Sequence, residues 1–223
     1  MNSFPRVGVI GSGQLAQMML APAAALGIDL ISLANSSKDS AAQSSPHIVG
    51  DYRDLDTVRK FAEGCDLVTF EHELIPISII RTLEAEGIKF SPSADSFQYS
   101  QDKALMRQKL AHLPNPKWIV VTASDVPANW NFPAIAKSIS GGYDGRGVWK
   151  VNSKEELIDL LKEIPKLLLE ELIDFDFEIA VMVARSAHGQ AATWAPTRTV
   201  QRDGICIETV TPVPEFNDER SEA

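Results

Sequence analysis

The sequence is poor in the residues that build metal centres and disulfide frameworks. It has only two cysteines, Cys65 and Cys206, which are far apart and lack Cys-x-x-Cys spacing, so we expect neither a zinc site nor a disulfide framework. The four histidines show no metal-binding helical spacing. These shortages indicate a reducing compartment and no transition-metal centre.

Basic runs and long apolar runs are also missing. The formal net charge of -9 and the pI near 4.9 would repel nucleic-acid phosphates and anionic membrane surfaces. No apolar run approaches the ~18 residues that cross a bilayer, and the N-terminal segment lacks the pattern of a signal peptide. We therefore expect a soluble cytoplasmic protein that binds neither nucleic acid nor membranes.

What is present first is an alternation of short apolar runs and helical patterns. Strands are predicted at 7–10, 28–33, 67–70 and 88–90, with helices after Gly13, at 51–64 and at 76–87. Such alternation favours a doubly wound, Rossmann-like α/β domain. The Ser91-Pro92-Ser93 break predicts that this domain covers residues 1–93.

After a predicted helix at 101–113 the pattern becomes rich in strands. They are expected at 118–121, 134–137, 148–151, 167–170, 178–184 and 205–210. One strong helix, at 153–164, begins with a capping box of Ser153 and Glu156. This indicates an antiparallel α+β domain over 94–211, followed by a linker or frayed end at 212–223.

The Gly11-x-Gly13-x-x-Ala16 turn lies between a predicted strand and a helix, where backbone amides can bind a phosphate. A dinucleotide enzyme usually adds a carboxylate at the end of the second strand, and none is present here. NAD is therefore disfavoured, and another phosphate or no ligand stays open. Gln14 at the helix mouth favours a ligand.

Two carboxylates, Glu71 and Glu73, follow a predicted strand at the sheet edge where α/β domains bind ligands. They could accept hydrogen bonds from a sugar, or they could belong to a solvated acidic loop that caps the next helix. The residues alone do not decide between these two interpretations.

The segment KSISGGYDGRG, residues 137–147, has four glycines within seven residues between two predicted strands. Amides of such a hairpin can approach phosphate oxygens, although many glycine-rich hairpins are only turns. Lys137 precedes the glycines inside an apolar strand, where a lysine is costly unless it meets an anion. No Gly-Lys-Ser/Thr follows, so this is not a Walker motif, but it indicates a nucleotide-phosphate loop.

Downstream, an apolar strand runs into Glu170 and Glu171, and Glu178 follows eight positions after Glu170. A strand end of this kind could supply backbone groups to a base and carboxylates to an amino group or a ribose. Glutamates after a strand are also common on surfaces, so this signal is weak by itself.

In combination, these pieces resemble the ATP-grasp superfamily, and within it the 5-(carboxyamino)imidazole ribonucleotide synthetases. The resemblance covers nearly the whole chain. Its segments are GSGQLAQMM from Gly11, TFEHE from Thr69, QDKALMRQKL from Gln101, KSISGGYDGRGVW from Lys137, LLEELIDFDFEIAVMVAR from Leu168 and the Asp203-Gly204 turn.

The resemblance implies a Rossmann-like pre-ATP-grasp domain followed by an ATP-grasp domain that is incomplete at its C-terminus. It implies an ATP-dependent ligase of purine biosynthesis that joins bicarbonate to aminoimidazole ribonucleotide through carboxyphosphate, with ATP and Mg2+ as cofactors. It also implies a homodimer. A lysine-rich cleft under a glycine lid suits phosphoryl transfer, which needs charge neutralisation and exclusion of water.

Residue roles are carried over in the same way. The residues expected to bind ATP are Lys103, Lys137, Gly142, Tyr143, Asp144, Gly145, Arg146, Gly147, Val148, Glu170, Glu171, Leu172, Ile173, Glu178 and Gln201. The residues expected to face the imidazole ribonucleotide are Gly13, Gln14, Leu15, Glu71 and Glu73. Tyr143 and Arg146 are the expected catalytic residues, reaching the reacting carboxylate from the lid.

The sequence departs from the family pattern in three places. Ser12 lies between the two glycines of the turn, a conservative change, and Thr199 replaces a usual asparagine, which weakens the role of Gln201. The family's acidic magnesium ligands are expected beyond Ala223, so we expect this chain alone to be catalytically incomplete.

Three other functions stay open at this stage. One is a formate-dependent glycinamide ribonucleotide transformylase, whose lid is expected to differ from GGYDGRG. The others are a binding-only role for the fragment and an NAD-dependent oxidoreductase.

Overall fold

The computed structural model describes residues 4–142 and 146–214. The chain divides into two compact units, Met1–Lys109 and Leu110–Ala223. The Ser91-Pro92-Ser93 segment, at which the sequence suggested a boundary, therefore lies inside the first unit.

The first unit alternates strands and helices over most of its length. Its elements are β1 (Arg6–Ile10), α1 (Gln14–Ala25), β2 (Asp29–Ala34), β3 (His47–Val49), α2 (Leu55–Ala62), β4 (Leu67–Phe70), α3 (Ile77–Ala85), α4 (Ala94–Gln101) and α5 (Lys103–Lys109).

The four strands form a parallel sheet in the order β3-β2-β1-β4. Both faces are covered, as the neighbouring residues Val9 and Ile10 show. Val9 packs with Ala16 of α1 in one core, whereas Ile10 packs with Val58 of α2 and Leu83 of α3 in the other. This confirms the predicted doubly wound α/β fold.

The starts of α2 and α5 are set by side-chain caps that the apolar pattern does not reveal. Helix α2 is shorter than the predicted 51–64, because Asp54 accepts a hydrogen bond from the Thr57 amide and caps the helix. The predicted helix at 101–113 is α5 alone, which is shorter, and α4 before it was not predicted. Asp102 is extended between them and caps the second by accepting from the Leu105 amide.

One strand prediction in the first unit needs correction, and one strand was not predicted. The segment 88–90 is not a full strand, since only Phe90 bridges to Val68. Strand β3 was missed because its three residues, His47–Val49, are partly or fully exposed and carry no alternation.

The second unit is built mainly from strands. Its elements are β5 (Trp118–Thr122), β6 (Ala134–Ser138), β7 (Val148–Val151), α6 (Lys154–Glu163), β8 (Lys166–Glu171), β9 (Glu178–Ala180), β10 (Val183–Arg185), β11 (Ala191–Thr193), β12 (Thr197–Arg202) and β13 (Ile205–Val210).

A four-stranded antiparallel sheet in the order β5-β8-β6-β7 is the centre of this unit. One face packs on α6, where Leu157 and Leu161 meet Leu167 and Leu169 of β8. Ser153 accepts from the Glu156 amide, whereas the Glu156 carboxylate accepts from the Asn152 amide and not from that of Ser153. The antiparallel α+β expectation is confirmed.

The remaining strands form the three-stranded sheet β13-β12-β9 and the hairpin β10-β11. The single strand predicted at 178–184 is two strands, interrupted at Val181 and Met182. Strands β11 and β12 were not predicted. No helix in the described part of the chain has the length and apolar character needed to span a membrane.

Candidate active site

The glycine turn of the first unit holds a carboxylate of the protein itself. The Glu71 carboxylate, just after β4, accepts hydrogen bonds from the amides of Gly13 at 2.6 Å, Leu15 at 3.1 Å and Ala16 at 3.4 Å. These amides surround the start of α1, the place where a dinucleotide enzyme binds pyrophosphate. The anion position of the fingerprint is therefore taken by Glu71.

The glycines are needed to let this carboxylate approach. Gly11 has a φ of +106°, and a Cβ there would lie 2.6 Å from a Glu71 oxygen. A Cβ on Gly13 would lie 2.5 Å from the other oxygen. The turn that reads as a phosphate motif thus fits a side-chain carboxylate equally closely.

A cavity of about 290 Å³ opens beside this turn. Among its lining residues are Gly13, Leu15 and Glu71, so three of the five predicted substrate residues come together. Gln14 and Glu73 are not among them; Gln14 is exposed on α1, and the Glu73 carbonyl accepts from the Gln101 amide group at 2.6 Å.

The cavity is also lined by three residues that were not predicted from the sequence, Asn35, Asp39 and His72. Asn35 directly follows β2, at the same carboxyl edge as Glu71, and that edge position could have indicated it. Asp39 lies in the loop after β2, and tertiary structure alone brings it to the cavity. His72 lies in the sequence between Glu71 and Glu73, the two predicted substrate residues.

In the second unit, Lys137 forms an ion pair with Glu170, with 2.6 Å between Nζ and Oε2. The Glu170 side chain is only 3% exposed and that of Lys137 is 26% exposed. The anion that a lysine in this apolar strand requires is thus provided within the protein. A buried carboxylate and a cation at this distance attract each other strongly.

The sheet register places both residues on the face opposite α6. Ile135 pairs with Glu170, and Lys137 pairs with Leu168, so the two charged side chains are diagonal neighbours on β6 and β8. Lys150 of β7 pairs with Ile135 and shares this face. Two lysines and one buried glutamate therefore lie on a face that α6 does not cover.

The glycine-rich segment connects β6 and β7 as a hairpin. The Ser138 amide donates to the Gly147 carbonyl at 2.8 Å, and both Gly141 and Gly147 have positive φ. Arg146 and Val148 are exposed on its second arm. The predicted lid residues Tyr143, Asp144 and Gly145 lie outside the described residues.

The end of β8 separates the predicted base-binding residues. Glu171 does not lie with Glu170; its carboxylate accepts from the Lys117 amide at 2.7 Å and lines a second cavity of about 250 Å³, together with Trp130. Leu172 and Ile173 follow the last strand residue and are 41% and 43% exposed. Their backbone groups lie beyond the sheet ladder.

The predicted ribose carboxylate and the nearby glutamine lie on neighbouring strands. Glu178 begins β9 and pairs with Thr199 of β12. Gln201 lies at a bulge in β12 and is exposed. Asp203 and Gly204 both have positive φ and form the hairpin turn that joins β12 to β13.

Lys103 belongs to the first unit, where it is the first residue of α5 and is partly buried. Asp102 accepts from the Leu105 amide and so sets the start of this helix.

Two observations concern other chemistry. Burial raises the pKa of the Cys65 thiol to about 11, so this cysteine is protonated at neutral pH and is a poor nucleophile. Within residues 4–142 and 146–214, no group of three or more His, Cys, Asp or Glu side chains could hold a metal ion.

Comparison with known proteins agrees with this geometry. Residues 105–223 match the model of the ATP-grasp domain, and residues 4–101 match that of the ribonucleotide synthetase preATP-grasp domain. The chain belongs to the ATP-grasp family.

The N5-carboxyaminoimidazole ribonucleotide synthase of Mycobacterium tuberculosis is 38% identical over 234 residues, which cover 98% of this chain and 54% of the relative. The chain thus spans about half the length of the curated relatives it matches.

Solved structures of such synthetases are also similar to this chain. An N5-carboxyaminoimidazole ribonucleotide synthetase in complex with ADP superposes with a TM-score of 0.89 at 25% identity, covering 100% of this chain and 61% of the other. The carboxyaminoimidazole ribonucleotide synthase of Aspergillus clavatus complexed with ATP gives a TM-score of 0.83 at 26% identity, covering 98% and 60%.

Proposed function

We propose that this chain carries the ATP-binding and aminoimidazole ribonucleotide-binding parts of an N5-carboxyaminoimidazole ribonucleotide synthase. The observation that carries this proposal is the ion pair of Lys137 and Glu170 on the sheet face that α6 leaves uncovered, beside a glycine hairpin. The family match and the similar synthases support it.

In the proposed reaction, a bicarbonate oxygen attacks the γ-phosphorus of ATP and ADP leaves, which gives carboxyphosphate. The exocyclic amine of aminoimidazole ribonucleotide then attacks the carboxyl carbon of this intermediate. Inorganic phosphate leaves, and the amine nitrogen loses a proton. The protein has to neutralise charge on the phosphates and exclude water.

For ATP, Lys137 supplies the positive charge that neutralises the phosphates. Glu170 holds the Lys137 ammonium group in position before the nucleotide binds. Such preorganisation avoids reordering a long side chain when the nucleotide binds. The backbone groups of Leu172 and Ile173, which lie beyond the sheet ladder, can form hydrogen bonds with the adenine ring. The Glu170 carboxylate can accept a hydrogen bond from the adenine amino group. Glu178 is assigned to the ribose.

The rest of the proposed ATP site follows the resemblance. Lys103 is assigned to the phosphates, and the hairpin residues are assigned to a lid that closes over them. Tyr143 and Arg146 are assigned to the reacting carboxylate. Glu171 and Gln201 are assigned to the ATP site with less support, because the Glu171 carboxylate already accepts a hydrogen bond from the Lys117 amide and Gln201 is exposed.

For the ribonucleotide, the cavity beside the glycine turn is the proposed site. Gly13, Leu15 and Glu71 line it. Gln14 and Glu73 remain in the proposal as neighbours of this wall. A nicotinamide dinucleotide is disfavoured, because Glu71 already accepts from the amides that its pyrophosphate would need.

We also propose that the whole protein is a cytoplasmic homodimer that uses Mg2+. The low cysteine content and the acidic composition support the compartment. The family resemblance supports the dimer and the metal ion.

Calorimetric titration of this chain with ATP and with NADH tests the proposal. Binding is the right readout because the chain spans 54% of the M. tuberculosis relative. We expect ATP to bind and NADH not to bind, and we expect Lys137→Met to abolish the ATP heat. An equal response to both nucleotides, or an unchanged ATP affinity in the variant, would contradict the proposal.

The choice of one-carbon substrate is tested in a chain extended to the full length of the relatives. ATP hydrolysis with bicarbonate and aminoimidazole ribonucleotide is compared with hydrolysis in the presence of formate and glycinamide ribonucleotide. A preference for the second pair would exclude the synthase.

A further inference from the structure

His72 is held firmly in the wall of the first unit's cavity. Its Nδ1 accepts a hydrogen bond from the Leu74 amide at 3.3 Å. Its ring meets the buried Tyr52 edge to face, with 4.9 Å between the ring centroids. On another side, Cδ2 lies 3.3 Å from the point where a Cβ on Gly11 would be. The contacts with Leu74 and Tyr52 thus fix the position of the imidazole.

The contact with Leu74 also fixes the tautomer. An Nδ1 that accepts from an amide carries no proton, so the proton of the neutral ring is on Nε2. Nε2 is bonded to Cδ2, the atom of His72 that lies nearest to the Cβ position of Gly11. Among the described residues nothing accepts from Nε2, and His72 lines the cavity. The ring therefore offers a preorganised donor to a ligand.

The charge around this donor selects the ligand group. Glu71 and Asp39 line the same cavity, and both are carboxylates. The amides that could attract a phosphate already donate to Glu71, and the Ser36 amide donates to Asp39 at 3.1 Å. A phosphate would be repelled here, whereas a hydroxyl can accept from His72 and donate to a carboxylate.

We propose that His72 is a ligand-binding residue of this cavity, and that its Nε2–H donates to a ribose hydroxyl of the bound nucleotide. The phosphate of that nucleotide then lies outside the acidic cavity. The inference rests on the proposed function for the identity of the ribonucleotide, but the recognition of a sugar hydroxyl follows from the cavity itself.

The test compares His72→Phe with His72→Gln. Phenylalanine keeps a ring against Tyr52 and removes the donor, whereas the glutamine amide can return a donor to a place near that of Nε2. Calorimetric titrations use aminoimidazole ribonucleotide, ribose 5-phosphate and inorganic phosphate. We expect His72→Phe to weaken the first two roughly tenfold and His72→Gln to weaken them less, with no binding of phosphate.

The outcomes separate this inference from the proposed function. If ribose 5-phosphate binds in a His72-dependent way but the ribonucleotide does not bind, the inference stands and the function fails. If the ribonucleotide binds wild type and His72→Phe equally, the inference is overturned and the function stands. Binding of phosphate alone overturns the choice of a hydroxyl, and no binding of either sugar overturns both.

If a His72 variant does not fold, a measurement on the wild-type chain tests the proposal instead. The imidazole of His72, labelled with 15N, should show an Nε2–H proton that is protected from exchange and shifted downfield on addition of ribose 5-phosphate. An Nε2–H resonance that does not change, or a proton found on Nδ1, overturns the proposal.

Discussion

The Glu71 carboxylate accepts a hydrogen bond from the Gly13 amide at 2.6 Å and so occupies the start of α1. A motif that resembles a phosphate site is thereby converted into an internal helix cap. The negative charge of Glu71 interacts favourably with the dipole of α1 and so stabilises the fold. The same carboxylate makes the cavity beside the turn acidic.

Replacing Glu71 with glutamine should destabilise the first unit. The neutral amide loses the charge at the helix N-terminus and weakens three hydrogen bonds, and we expect a loss of about 2 kcal/mol in the free energy of unfolding. Denaturant unfolding measures this. Glu73→Gln is the control, because its carboxylate makes no hydrogen bond within the described residues, and an equal loss in both variants would contradict the capping role.

Replacing Lys137 with methionine should lower both stability and ATP affinity. The buried Glu170 charge loses its cation, and breaking such a pair costs about 3 kcal/mol. The double variant with Glu170→Leu should recover part of this stability without recovering ATP binding.

Lys150→Met is the matched control for this prediction, since Lys150 shares the sheet face but has no ion pair within the described residues. Its stability should change by less than about 0.5 kcal/mol. Additive losses in Lys137→Met, Glu170→Leu and the double variant, measured by chemical denaturation, would show that the two residues are not coupled.

Gly147 and Gly141 should respond differently to alanine. Both have positive φ, but a Cβ on Gly147 would lie 3.0 Å from the Ser138 hydroxyl, whereas one on Gly141 has open space. Gly141→Ala should therefore cost only the backbone strain, about 1 kcal/mol, and Gly147→Ala more than that. Thermal unfolding and ATP titration of both variants measure this, and equal effects would contradict the packing argument.

The cap of α2 should make stability depend on acid pH. Hydrogen bonds from the hydroxyl and then the amide of Thr57 lower the pKa of Asp54 below its usual value of 3.8. Since the folded-state pKa is the lower one, the stabilisation is complete above about pH 4 and is lost as the pH falls through the folded value.

Asp54→Asn keeps a capping oxygen but cannot titrate, so its stability should fall less than that of wild type between pH 5 and pH 3. Thr57→Val removes the hydroxyl alone and should give an intermediate slope. Chemical denaturation across this range checks the order of the three proteins, and identical slopes for wild type and Asp54→Asn would contradict the assignment.

Much of the fold was predictable from local pattern. The apolar runs of β1 and β4 and the inward Ile80 and Leu83 of α3 carry their structure in their own periodicity, because burial on a sheet or helix face demands it. Short exposed strands such as β3 and β11 have no such constraint and were missed. The break at Asp102 was missed because a cap depends on a side-chain geometry that periodicity does not record.

The candidate site shows the same division. Residue type and order alone indicated the phosphate-loop glycines, the strand lysine Lys137 and the family. Tertiary structure decided that Lys137 meets Glu170 and that Glu171 faces away, because neighbouring residues of a strand point to opposite faces and only the register selects the partner. It also decided that Glu71 fills the glycine turn and that His72 and Asp39 share its cavity, since these contacts join segments that are distant in sequence and depend on how the sheet edge closes.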